Sequence, residues 1–329
     1  MNISVIIPVY NRPGEMAEIL HNLAEQHDAD FEVIVVEDGS DDRCSDVVKS
    51  YEGRVRLRYF EQPNSGPALA RNLGAERASG DFFVFLDSDV ILPPEYIETV
   101  REAVASGVEF YGGPDAAMNS FTPLQRAINY SMTSIFTTGG IRGSMKKREN
   151  FKPRSFNMGV SRRVFEKAGG FNDMRFGEDI DFSMRVINLG TRATLLREAK
   201  VYHKRRTNIG AFARQVYFSG VARVNISMRH PRKKGDFLYL LPAIFVLGVL
   251  GCIILAPFTN FISILLLLLT LLIWFGDSLF RNRSPVVALL SAVTSFVMLC
   301  GYGTGFLSCL IRRHILRSTE AETFRTNFR

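Results

Sequence analysis

The sequence predicts an α/β protein: a mostly parallel sheet with helices on both faces, followed by C-terminal transmembrane helices. Three observations predict it. Short β-branched runs alternate with segments of helical spacing through the N-terminal part of the chain, which implies βαβ units and a parallel sheet. Three of those runs end in polar motifs, and ligands bind such sheets at the carboxyl ends of the strands. Residues 237–276 and 284–311 carry no charged side chain, and each stretch exceeds the roughly 20 residues needed to cross a bilayer.

Taken in order, residues 2–10 (NISVIIPVY) read as a buried strand, and Asn11-Arg12-Pro13-Gly14 as a turn. Met16, Ile19, Leu20 and Leu23 have helical spacing within residues 15–26. Residues 31–36 (FEVIVV) form a second strand, followed by Glu37-Asp38-Gly39-Ser40, where Glu37 reads as a charged turn residue. A helix over 44–51, a strand over 55–60 and the turn Asn64-Ser65-Gly66-Pro67 lead to a helix over 68–78. The central strand, 82–86 (FFVFL), runs straight into Asp87-Ser88-Asp89. Two carboxylates at i and i+2 on the end of a buried strand are costly unless something positive meets them. A hard divalent cation is the expected partner; Mg²⁺ or Mn²⁺ would keep substrate phosphates in its shell. A solvated acidic turn is the bland reading, and the convergence of three polar strand ends argues against it.

Charge narrows the partners. The 329 residues carry 40 Lys/Arg and 33 Asp/Glu, a net charge of +7. Residues 203–235 hold nine Lys/Arg and no acid, and residues 142–154 hold six Lys/Arg and one Glu. Such clusters suit nucleic acid, anionic lipid or phosphorylated ligands. The first lies just before an apolar run, so membrane lipids explain it and no nucleic-acid partner is expected. Strand-like residues begin at Ile3 with no basic leader, so the N-terminal domain is expected in the cytoplasm. Cys44 is alone in the polar part, and no cysteine spacing suggests zinc or a disulfide framework.

The blocks IPVYNR at 7–12, VVEDGSDD at 35–42, NSGPALARNLG at 64–74, LDSDV at 86–90, NMGVSRRVFEKAGGFN at 157–172 and GEDIDFSMRV at 177–186 occur in this order. Together they resemble an inverting family 2 glycosyltransferase with the GT-A Rossmann-like fold, over roughly residues 3–225. The resemblance implies that Pro8, Tyr10 and Asn11 line the base pocket and that Asp38 accepts the base imide N–H. It also implies a diphosphate contact for Arg71, shaped by the turn at Gly66. Asp89 would bind the metal, with Asp87 on the ribose or on the metal through water. Asp179 would be the general base that takes the acceptor proton, with Glu178 beside it among the catalytic candidates. Asn157, Met158 and Gly159 fall in the acceptor-side block. Some GT-A enzymes carry a metal or diphosphate ligand where His203 stands, and Arg205 or Arg206 could touch the diphosphate. The Gln-x-x-Arg-Trp motif of processive members is absent after Gln215, which argues against polymer extrusion.

Residues 115–156 are the least transparent. Leu124, Ile128, Met132 and Ile135 are at helical spacing, and a basic loop containing Lys146, Lys147 and Arg148 follows. A core helix followed by a loop is the bland reading, and an interfacial helix with a mobile basic loop near the acceptor's phosphate is the alternative.

The domain expectation is a cytoplasmic GT-A domain over 1–232, a transmembrane region over 233–315 with spans at 237–258, 261–279 and 286–311, and a polar tail. The third stretch is read as a single span, although Arg312, Arg313 and Arg317 would then face outside, against the positive-inside rule. A re-entrant segment broken around Gly301-Tyr302-Gly303 is the alternative. The expected activity is transfer of one sugar from a nucleotide-sugar donor, UDP-sugar before GDP-sugar, to a hydroxyl of a lipid-linked saccharide acceptor, with Mg²⁺ or Mn²⁺ as cofactor. A polyprenyl-phosphate sugar synthase and a catalytically idle nucleotide-sugar-binding scaffold are the rivals. The expected location is the inner (cytoplasmic) membrane.

Overall fold

The computed structural model describes residues 1–116, 121–138, 151–230 and 236–324, with Ala116 and His203 described by their backbone. The chain forms two compact units, Met1–Met118 with Lys147–Lys204, and Asn119–Lys146 with Arg205–Arg329.

The first unit opens with β1 (Ile3–Val9), α1 (Pro13–Ala24), β2 (Phe31–Asp38), α2 (Ser45–Lys49), β3 (Arg56–Gln62) and α3 (Pro67–Arg77). It continues with β4 (Phe82–Leu86), β5 (Val90–Ile91), α4 (Tyr96–Ala105), β6 (Phe110–Gly112) and β7 (Asp115–Ala116). Helices α5 (Pro123–Thr133) and α6 (Ile135–Thr138) belong to the second unit. The first unit resumes with β8 (Asn157–Ser161), α7 (Arg162–Ala168), α8 (Glu178–Asn188), β9 (Thr194–Leu195) and β10 (Val201–His203). The second continues with α9 (Ile209–Arg229), α10 (Leu241–Leu255), α11 (Ile262–Asn282), α12 (Pro285–His314) and α13 (Glu320–Thr323).

Seven strands form one sheet in the order β3-β2-β1-β4-β8-β6-β9. β1 pairs parallel with β2 and β4, and β8 runs antiparallel to β4 and β6. The expected mostly parallel sheet is therefore present. Because β2 and β4 flank β1, the connections leave β1 in opposite directions, and the crevice at its carboxyl end is the ligand position in such sheets.

Alternation along the strands sets the two core layers. Ile3, Val5, Ile7 and Val9 face the layer that holds Met16, Ile19 and Leu20 of α1 and Ile97 and Val100 of α4. Ile6, Ile34, Val36, Phe83 and Phe85 face the other layer, with α3, α7 and α8. A Cβ on Gly74 of α3 would come within 2.4 Å of Ile6 Cγ2, so glycine lets that helix approach the sheet closely. Phe85, Phe165, Phe171 and Phe182 form an aromatic cluster under the crevice, with ring centroids 4.6 Å apart for Phe171 and Phe182.

In the second unit, α5 supplies Ile128 and Met132 to a cluster with Phe212 and Val216 of α9 and Val297 and Met298 of α12. Leu124, Ile128 and Met132 are thus helical and packed as expected, whereas Ile135 follows an extended Ser134, begins α6 and is exposed. A short 3₁₀ turn, Ala256–Thr259, joins α10 to α11, with Asn260 and Phe261 left-handed. Among the described residues, three helical segments are long and apolar enough to cross a membrane: Asp236–Thr259, Ile262–Asn282 and Pro285–His314. α12 is continuous through Gly301, Gly303 and Gly305, so a break in that stretch is ruled out. The glycines there serve close packing instead: a Cβ on Gly305 would lie 2.1 Å from Tyr217 O. The loop with Lys146, Lys147 and Arg148 lies outside the described residues.

Candidate active site

The carboxyl ends of β1 and β2 are laced together. Asn11, left-handed at φ 52°, donates its backbone N–H to Ser40 Oγ at 2.7 Å and accepts from Asp41 N and Asp42 N at 2.8 and 3.0 Å. Asp38 accepts from Gln62 Nε2 at 2.7 Å, Ser65 N at 2.8 Å and Gly66 N at 2.9 Å. A carboxylate offers about four acceptor positions, so Asp38 holds the turn before α3 and keeps capacity for one further N–H. Gly66 takes φ 92°, a conformation that favours glycine. Tyr10 is 47% exposed at the rim, whereas Pro8 lies within β1, paired with Val36.

Glu37 departs from expectation. It is a buried β2 residue, not a turn residue. Its carboxylate accepts from Ser40 Oγ, from Cys44 N at 2.8 Å and from Tyr59 O–H at 3.3 Å. A buried carboxylate must find such donors, and here they come from the turn it braces. A cavity of about 320 Å³ opens beside it, lined in part by Ser40, Arg43, Glu61 and Gln62.

At the end of β4, both carboxylates meet positive charge, as their placement demanded. Arg12 Nη1 lies 2.6 Å from Asp89 Oδ2. Burial works against the charged Arg12 guanidinium, but Asp89 outweighs it and the pKa is raised. Arg71 Nη2 lies 2.6 Å from Asp87 Oδ1. Among the described residues, no three His, Cys, Asp or Glu side chains are grouped to hold a metal ion.

Arg71 is the most buried arginine of the site. Its side chain is 3% exposed, and its second terminal nitrogen reaches Glu178 Oε1 at 2.9 Å. Its guanidinium also lies 5.7 Å from the Phe171 ring centroid, while Nε has no hydrogen-bond partner. The helix that carries Arg71 is fixed by Asn72, which donates to Phe171 O at 2.7 Å and accepts from Phe171 N at 2.8 Å. Arg71 thus underlies the site and joins two acidic motifs. Its terminal nitrogens are engaged by Asp87 and Glu178.

Glu178 and Asp179 form the first turn of α8, where acidic side chains suit the helix dipole. Asp179 Oδ2 accepts from Arg154 Nε at 2.5 Å, and Oδ1 accepts from Ile180 N at 2.7 Å. Burial would raise the Asp179 pKa, but Arg154 overcomes it and holds the carboxyl below its usual range. Glu178 goes the other way: burial, then the adjacent Asp179 charge, push it up to about 7 against the pull of Arg71. Asp181 faces elsewhere, accepting from Asn172 Nδ2 at 2.8 Å and Arg185 Nε at 2.9 Å, so Asp179 and Asp181 do not share a role.

Asn157, Met158 and Gly159, expected on the acceptor side, lie buried in β8. Asn157 accepts from Tyr96 O–H and donates to Ala199 O, both at 2.7 Å. A Cβ on Gly159 would lie 1.9 Å from Tyr111 Cε1. They build the sheet beneath the site and offer it no exposed side chain. The backbone of His203 pairs with Val90; its side chain lies outside the described residues. Arg205 belongs to the second unit, buried and donating to Asn129 Oδ1 at 3.0 Å.

Sequence reasoning missed Arg12 and Arg154 as partners of the two key carboxylates. Arg12 stands inside the IPVYNR block, so its place after the first strand was a usable signal. Arg154 sits 25 residues from Asp179 with no periodic relation to it, and nothing in the spacing marks the pair.

Residues 4–169 match the model of the family described as glycosyl transferase family 2. A validoxylamine A glucosyltransferase of Streptomyces hygroscopicus subsp. jinggangensis is 46% identical over 107 residues, 31% of this chain and 25% of that protein. The uncharacterized glycosyltransferase EpsJ of Bacillus subtilis is 26% identical over 215 residues, 63% of this chain and 62% of EpsJ. The chain thus spans about a quarter of the first relative and under two thirds of the second. The mannosyltransferase PcManGT from Pyrobaculum calidifontis, solved in complex with GDP-Man and Mn²⁺, superposes with TM-score 0.59 at 18% identity, over 94% of this chain and 86% of that one. S. aureus TarS 1-349 gives TM-score 0.50 at 20% identity, over 94% and 91%. At these identities the two structures speak to the fold.

Proposed function

The chain belongs to glycosyl transferase family 2, and on that premise we propose that it transfers one sugar, with inversion, from a nucleotide-sugar to a hydroxyl of a lipid-linked saccharide at the cytoplasmic membrane. The observation that carries this is the meeting of Asp87, Arg71 and Glu178, with distances of 2.6 and 2.9 Å. It joins the strand end suited to a donor with the helix start suited to a base. The GT-A fold of the first unit supplies the crevice.

In this reading the base and ribose bind along Tyr10, Asn11 and Asp38. The remaining acceptor position of Asp38 takes an imide N–H, which favours a UDP-sugar, with a GDP-sugar as the other option. Asp179, ionised at neutral pH because Arg154 lowers its pKa, takes the proton of the acceptor hydroxyl. The hydroxyl oxygen bonds to the anomeric carbon as the bond from that carbon to the diphosphate oxygen breaks, on the opposite face. Arg12 is placed to meet the negative charge that leaves with the nucleoside diphosphate.

The donor set fits a divalent cation. Asp87 and Asp89 are hard oxygen ligands, and Asp89 already draws a cation, the Arg12 guanidinium. Two carboxylates suit Mg²⁺ or Mn²⁺, whose remaining positions go to phosphates and water. When bound, the metal would neutralise charge on the diphosphate.

The test is nucleotide release from a panel of UDP- and GDP-sugars by the detergent-purified chain with Mn²⁺ or Mg²⁺. Metal-dependent release from one donor, abolished by Asp89→Ala, is the expected result. No release and no donor binding by calorimetry would sink the reading in favour of a non-catalytic scaffold.

A further inference from the structure

We propose that the α10–α11 hairpin alone enters the bilayer, and that α12, although apolar enough to cross it, lies outside the hydrocarbon against the base of that hairpin. The chain then returns to the side from which α10 departs. This topology is independent of the reaction performed by the first unit.

The three apolar segments are unlike in their surroundings. The apolar windows of Asp236–Thr259 and Ile262–Asn282 are 11% and 17% buried within the protein, that of Pro285–His314 44%. Leu247, Leu250, Ile254, Leu265, Leu266 and Leu269 stand exposed along α10 and α11, as lipid-facing side chains would. α12 packs more extensively within the protein, although Val286, Leu289, Val293 and Ile311 stand exposed on it. Thr294 Oγ1 donates to Ala127 O of α5 at 3.1 Å. A Cβ on Gly220 of α9 would lie 2.1 Å from Tyr302 O of α12. α12 and α9 therefore touch backbone to backbone, and whatever depth one occupies the other shares.

α9 cannot occupy hydrocarbon. It is not among the helices apolar enough to cross, and Arg214 and Arg229 are exposed on it. An arginine at membrane depth is expensive. Arg223 of α9 stacks on Tyr239, 3.3 Å from its centroid, where the chain enters α10. That places the arginine face of α9 at the hairpin's base. On α5, Arg126 donates to Asn282 O at 3.0 Å, where the chain leaves α11. Tyr130 O–H donates to Asp277 at 2.7 Å in the last turns of α11. Polar partners thus gather at both feet of the hairpin.

Length decides between crossing and lying flat. α12 begins three residues after Asn282, at the foot of α11. Gly303 stands 18 residues farther on, roughly 27 Å of helix, which is most of a bilayer's thickness. Yet a Cβ on Gly303 would lie 2.2 Å from Pro242 O, at the foot of α10. A hairpin has both feet on one side. A crossing helix cannot touch both feet at positions so far apart, but one lying along the base can. Arg281, Arg283, Arg312, Arg313 and Arg317 then share a side with Arg223 and Arg229 of α9, in keeping with the positive-inside rule.

The test is the location of a reporter fused after Arg329 of the full chain, expressed in a bacterial host. A fluorescent protein that folds only in the cytoplasm should be as bright there as when fused before Met1, and alkaline phosphatase, active only when exported, should be silent. Active phosphatase with a dark fluorescent fusion overturns the inference. A second pair uses two exposed residues, Leu266 of α11 and Thr304 of α12. Leu266→Lys should lower membrane-integrated protein by about tenfold or more and Thr304→Lys by less than about twofold, because only the first places a charge in lipid. Equal losses overturn the inference.

Discussion

Arg71 and Glu178 stand 107 positions apart in sequence, yet their side chains meet at 2.9 Å in the floor of the site. The same guanidinium holds Asp87 at 2.6 Å. One buried cation therefore sets the distance between the end of β4 and the start of α8. Removing one partner from such a pair leaves an uncompensated buried charge, at about 3–5 kcal/mol. Arg71→Gln is expected to lower the unfolding temperature and nucleotide release together. Arg71→Lys is expected to rescue neither fully, because a point charge cannot serve two carboxylates as a fork does. Thermal unfolding beside initial rates checks this, and wild-type behaviour of Arg71→Lys would contradict it.

Asp179→Asn keeps the shape of the first turn of α8 but removes the proton acceptor. Turnover should fall by about 10²- to 10⁴-fold, the usual size of a general-base contribution, with donor affinity by calorimetry held within about threefold because no donor contact is lost. A large loss of donor affinity would reassign the residue.

Glu178 has a folded-state pKa raised to about 7 by burial and by Asp179. A raised carboxyl binds its proton more tightly folded than unfolded. The associated stability is present below the unfolded pKa and is lost as pH rises through about 7. Glu178→Gln should therefore gain on wild type between pH 5 and pH 8, by at most about 3 kcal/mol. Asp179 is lowered, so its contribution is present above the ordinary carboxylate range and fades only toward acid. Unfolding curves of both proteins across that span check the sign, and a constant difference would refute it.

Arg12 competes with any cation for Asp89. Arg12→Ala should tighten Mn²⁺ binding in the absence of donor several-fold, and calorimetry with the metal alone reads it directly. Unchanged or weaker Mn²⁺ binding would show that the guanidinium does not occupy the metal's place.

Gly159→Ala would add a methyl where Tyr111 Cε1 lies 1.9 Å away. Overpacking of this kind costs about 1–3 kcal/mol. The expected outcome is a lowered unfolding temperature with acceptor KM unchanged in the protein that folds; a raised KM at wild-type stability would return Gly159 to an acceptor role.

The N-terminal part of the sheet was legible in the sequence because its signals are local. β-branched runs, helical spacing of Met16, Ile19, Leu20 and Leu23, and the Gly66-Pro67 entry to α3 each act within a few residues. The position of Asp87-Ser88-Asp89 at a buried strand end was legible for the same reason, and so was its need for positive charge. The burial of Glu37 was not legible because one partner, Tyr59, is 22 positions away and becomes a neighbour only when β2 and β3 pair. The hydrogen bonds of Asn157 were not legible because its partners Tyr96 and Ala199 are 61 and 42 positions away.

By itself, then, the sequence determined the order of the first four strands and the three helices between them, the place of the acidic motifs at strand ends, and the three apolar helical segments, since each depends on side-chain periodicity over short spans. Tertiary structure decided which arginine serves which carboxylate, Arg12 for Asp89, Arg71 for Asp87 and Glu178, Arg154 for Asp179. It also decided that α12 packs against α5 and α9 and is more buried than α10 and α11. Ion pairing and burial depend on distance in space, and only the folded chain brings together charges and surfaces that the sequence keeps far apart.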